Sequence, residues 1–100
     1  MMQLNNLQSR FPLDNIIVDV VYFIGSQNFE HDIDLIIVSE DFEGLSRIKR
    51  TEKIALNFEN LAVDLTCMTR REFDRLNTQG SFFLQKVLPS AIIVYDRKSH

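Results

Sequence analysis

Apolar and polar positions along the chain change their period several times, and each change marks an element. Asn15 to Ile24 is apolar on both alternating faces, with Asp19 the one charge among them, as expected for a strand buried on both sides. Ile33 to Val38 reads as a second strand and Leu61 to Cys67 as a third. In the third, Leu61, Val63, Leu65 and Cys67 fall on one face, with Ala62, Asp64 and Thr66 on the other. Between the second and third strands, Ser39 to Gly44 is a polar bend whose Ser39 or Asp41 could cap a helix from Leu45 to about Asn57. On that helix Leu45, Ile48, Ala55 and Leu56 fall on one arc, the one expected inside, while Ile54 and Phe58 lie off it. The amphipathic pattern is therefore imperfect, and some of the other face is expected to meet a neighbour as well. Thr69-Arg70-Arg71-Glu72 is a capping box with Met68 and Phe73 at the staple positions, so a helix runs on to about Leu76. A short helix from Phe82 to Leu88, capped by Ser81 and stopped by Pro89, precedes a last strand, Ala91 to Tyr95. Met1 to Arg10 is polar and reads as a short helix or a loose arm ending before Pro12. The order strand, strand, helix, strand, helix, helix, strand predicts an α/β (α+β) fold in which helices cover a small sheet.

Composition narrows the classes. One hundred residues with 45% apolar side chains support one core and a single domain, 1–100, with its centre at about 15–96. A net charge of −3 and a pI near 5.2 give no general attraction to nucleic acid. The only cysteine is Cys67, which excludes an internal disulfide and fits a reducing, cytoplasmic setting. Cys67 lies on the apolar face of its strand and reads as core. No stretch is long and apolar enough for a membrane span, and the N-terminus does not resemble a signal.

Candidate chemistry gathers at the turn after the first strand. Gly25-Ser26 opens that turn, and Asp32-Ile33-Asp34 begins the next strand with both carboxylates on one face, about 7 Å apart. Like charges at that spacing call for water or a cation, and a divalent metal is the leading explanation. Two other readings stand beside it. In one, Asp32 caps the turn while Asp34 and Asp64 are solvated edge charges. In the other, Ser26 and His31 form a hydrolase pair, against which stands the lack of a Gly-x-Ser-x-Gly elbow. Arg47, Lys49, Arg50 and Lys53 could reach phosphates, but their alternation with Glu52 reads as a solvated helix face.

Taken together, Gly25-Ser26, Asp32-Ile33-Asp34 and the later Asp64 resemble the nucleotidyltransferase superfamily related to DNA polymerase β, in particular its minimal nucleotidyltransferases. The likeness runs from about Val18 to Asp96. It implies a nucleotidyltransferase fold with a small mixed sheet, and transfer of a nucleoside monophosphate from ATP or another triphosphate to a hydroxyl. It also implies two Mg²⁺ ions on Asp32, Asp34 and Asp64, with phosphate oxygens against Gly25 and Ser26. Relatives of this kind often act as the antitoxin beside a small helical HEPN-type partner, so a protein partner or a homodimer is expected. The chain departs from the pattern between Gly25 and Asp32, where many relatives carry a longer segment with a second glycine and an arginine. The alternative is a catalytically inactive relative that binds or scaffolds another protein.

Overall fold

The computed structural model describes residues 4–24, 33–59, 61–80, 85–86 and 88–99. Four strands form one sheet in the order β3-β2-β1-β4, with β1 at Val20–Ile24, β2 at Ile33–Val38, β3 at Val63–Met68 and β4 at Ile92–Asp96. β1 is antiparallel to both β2 and β4, whereas β2 and β3 run parallel, so the sheet is mixed as expected. Parallel neighbours need a crossover connection. α2, Arg47–Ile54, supplies it, followed by a 3₁₀ turn at Ala55–Phe58. α1, Leu4–Gln8, precedes the sheet and α3, Arg70–Thr78, follows β3.

Strand alternation divides the apolar residues between two layers. Val21, Phe23, Ile33, Leu35, Ile37 and Tyr95 face one way, where Leu7, Phe11, Phe42, Ile54 and Phe58 bury them. Val20, Ile36 and Val38 face the other way, against Met68 and Phe73, with Tyr22 and Leu76 at the margin. Tyr22 stacks on Phe73 with centroids 5.5 Å apart. α3 therefore closes part of the second face, and its start follows from local sequence. The Thr69 hydroxyl accepts from Glu72 N at 3.1 Å while the Glu72 carboxylate accepts from Thr69 N at 2.9 Å, the expected capping box. Past its end, Gly80 takes a φ of +80°, a left-handed conformation that suits glycine after a helix.

Three expectations need correction. β1 starts at Val20 instead of Asn15, because β2 ends at Val38 and leaves the preceding residues without a strand partner. There the Ser39 hydroxyl donates to Ile17 O at 2.6 Å, and Ile17 N donates to the Asp41 carboxylate at 2.8 Å. Side chains thus complete the ladder in place of backbone. The helix expected from Leu45 starts two residues later, capped by Ser46, whose hydroxyl accepts from Lys49 N, while Ser39 caps the 3₁₀ turn at Glu40–Phe42. Its buried residues are Arg50 and Ile54, followed by Phe58, and the arc expected inside is outside, with Ile48 71% and Leu56 77% exposed. Most of the helix expected over Phe82 to Leu88 lies outside the described residues; Pro89 sits within a 3₁₀ turn at Leu88–Ser90.

Candidate functional site

β2 is a central strand whose residues are buried at every position except Asp34. Asp34 shares a face with Ile36 and Val38, which α3 and Met68 cover, so burial on that face begins one alternate position beyond the carboxylate. In the parallel register Asp34 stands opposite Asp64. Paired residues on adjacent strands project to the same side, and the strands lie about 4.8 Å apart. Asp64 is exposed as well, the outward member of an alternating edge strand. On the other side of Asp34 the partner is Ile24, the last residue of β1 and the one before Gly25. Ile33, the residue after Asp32, pairs with Val63. Strand pairing therefore brings two of the expected carboxylates together on one accessible face.

Gly25, Ser26, Asp32 and His31 lie outside the described residues. Among the described residues no three His, Cys, Asp or Glu side chains form a group that could hold a metal ion. Asp34 and Asp64 offer hard carboxylate oxygen open to water, the donor type that suits Mg²⁺, which binds through one or two carboxylates and keeps several waters.

Beside β3, two features went unseen in the sequence. Arg50 is buried at 8% exposure and makes a bidentate pair with Glu72, at 2.6 and 3.0 Å, while also donating to Leu45 O and Cys67 O. It ties α2, β3 and α3 together and is not part of a solvated face. The Glu72 carboxyl is held down at about 2, mainly by its hydrogen bonds from Arg50, against burial that pushes it upward. The second feature is a cavity of about 490 Å³ along β3, between α2 and α3, whose lining includes Arg47, Arg50, Leu65 and Arg75. Cys67 lines it too, packed against the larger core layer, and burial pushes its thiol up to about 11.

A solved crystal structure from Sulfolobus solfataricus, of a protein provisionally described as a nucleotidyltransferase, superposes with a TM-score of 0.55. The match covers 95% of this chain and 75% of that one, at 19% identity. The chain has the nucleotidyltransferase fold. No protein-family model matches the sequence, and no curated protein matches it significantly. In the nucleotidyltransferase fold of this chain, Asp34 and Asp64 occupy neighbouring strands beside the end of β1. No helix among the described residues is long and apolar enough to cross a membrane.

Proposed function

We propose that the protein is a Mg²⁺-dependent nucleotidyltransferase that moves a nucleoside monophosphate from ATP or another triphosphate to a hydroxyl acceptor. The observation that carries this reading is the in-register pairing of Asp34 with Asp64 on an accessible face of a nucleotidyltransferase fold. Two carboxylates side by side repel one another, and a central strand disfavours Asp. A cation held between the two carboxylates would offset that repulsion.

In this reading Asp34 and Asp64, with Asp32, hold the metal, and Gly25 and Ser26 receive the phosphates. Bound Mg²⁺ would neutralise charge on the attacking and leaving oxygens of an in-line displacement. The chain's own part is to hold the carboxylates fixed. β2 is paired on both sides, and Phe73 of α3 with Met68 of β3 anchors the far end of the same face. In the same reading the acceptor hydroxyl belongs to a HEPN-like helical partner in a toxin–antitoxin pair or to a second copy of the chain.

Labelled ATP, Mg²⁺ and a candidate partner test the reading. Label should pass to the partner with the native chain and fail with Asp64→Asn. Complex formation without transfer from any triphosphate would favour the alternative, a fold relative that acts by contact alone.

A further inference from the structure

We propose that the cavity between α2, the outer edge of β3 and α3 is a binding site for a small phosphate-bearing ligand, gripped by Arg47 and Arg75. Seven of the 11 Lys and Arg residues lie on α2 and α3, against three acidic ones, in a chain whose net charge is −3. The positive charge is thus concentrated on the two helices that wall this cavity. Arg47 opens α2 and Arg75 lies in the last turn of α3, and both line the cavity. Both are exposed, and neither has a salt-bridge partner among the described residues.

The carboxylate in the lining, Glu72, does not offset them. Both of its oxygens accept from Arg50, which also donates to the Leu45 and Cys67 carbonyls. The field inside is therefore set by Arg47 and Arg75. Guanidinium forks select planar or multi-oxygen anions. A carboxylate's two oxygens are filled by one fork, whereas a phosphate group has oxygens enough for two forks from opposite walls. Leu65 and Leu76 supply apolar surface for the rest of the ligand. The volume of about 490 Å³ lies within the roughly 300–1,000 Å³ of small-molecule sites. A net charge of −3 gives the chain no general attraction to a polynucleotide, which leaves a small anion as the ligand of this cavity.

This inference stands apart from the metal reading, and calorimetry with inorganic pyrophosphate in EDTA separates the two. The native chain should bind pyrophosphate without metal. Arg47→Ala and Arg75→Ala should each weaken it about tenfold, the double variant should abolish it, and Asp64→Asn should leave it unchanged. Thermal midpoints of the two arginine variants should match the native one, since both side chains are exposed. No heat with the native chain, or native affinity in the double variant, overturns the proposal. So does an equal loss in Asp64→Asn, which would move the binding to the carboxylates. A single-stranded oligonucleotide that displaces pyrophosphate and loses affinity in the same double variant would overturn the small-ligand assignment.

Discussion

At Glu72 three donors converge on one carboxylate: both Arg50 nitrogens and the backbone N of Thr69. The same side chain thus caps α3 and neutralises a buried guanidinium. Glu72→Gln keeps one acceptor for the cap but leaves Arg50 buried beside a neutral group. We expect a loss of about 1–2 kcal/mol at neutral pH, at the lower end because the carboxylate is partly exposed. The pH dependence has a defined sign. The folded carboxyl titrates at about 2 instead of its ordinary 4.5, so the stabilisation is complete above about 4.5 and is lost as pH falls toward 2. Chemical denaturation of native and Glu72→Gln chains should therefore show a gap that is constant from pH 5 to 7 and narrows in acid. A gap that persists at pH 2 would contradict the pairing. In the sequence Thr69 and Glu72 were legible as a capping box, because the signal is local. Arg50 was not, since its partner lies 22 residues away and its neighbours are charged.

Elements whose signals are local came through with nearly the expected bounds, and those set by tertiary partners did not. α3 follows from its cap and staple. α2 carries apolar residues on both sides, and periodicity alone selected the wrong one. Its orientation is fixed by the β2-α2-β3 crossover, which turns Arg50, Ile54 and the following Phe58 inward. A pair of truncations measures this directly. Ile54→Ala should cost about 2–5 kcal/mol, because Ile54 is fully buried in the larger core layer. Leu56→Ala should change stability by less than about 0.5 kcal/mol, since its side chain is 77% exposed. Equal losses would mean that the outer arc of α2 is covered. β1 shows the same division: its apolar run began at Asn15, but ladder formation waited for Val20, where β2 is available as a partner.

For the whole molecule, face parity and strand order decide what the carboxylates can do. Parity was legible, since Asp64 alternates with half-buried apolar residues in a regular strand. That β3 lies beside β2, in a register that sets Asp64 against Asp34, came only with the topology. The cavity between α2 and α3 had no sequence signal either, because Arg47 and Arg75 belong to helices that meet only through the fold. The central claim is that Asp34 and Asp64 form one magnesium-dependent nucleotide site. It is tested most directly by calorimetric titration of a non-hydrolysable ATP analogue into native and Asp64→Asn chains, each with and without Mg²⁺. The account predicts that Mg²⁺ adds binding heat in the native chain and adds none in Asp64→Asn. A magnesium-dependent heat of the same size in both chains, or in neither, would contradict it.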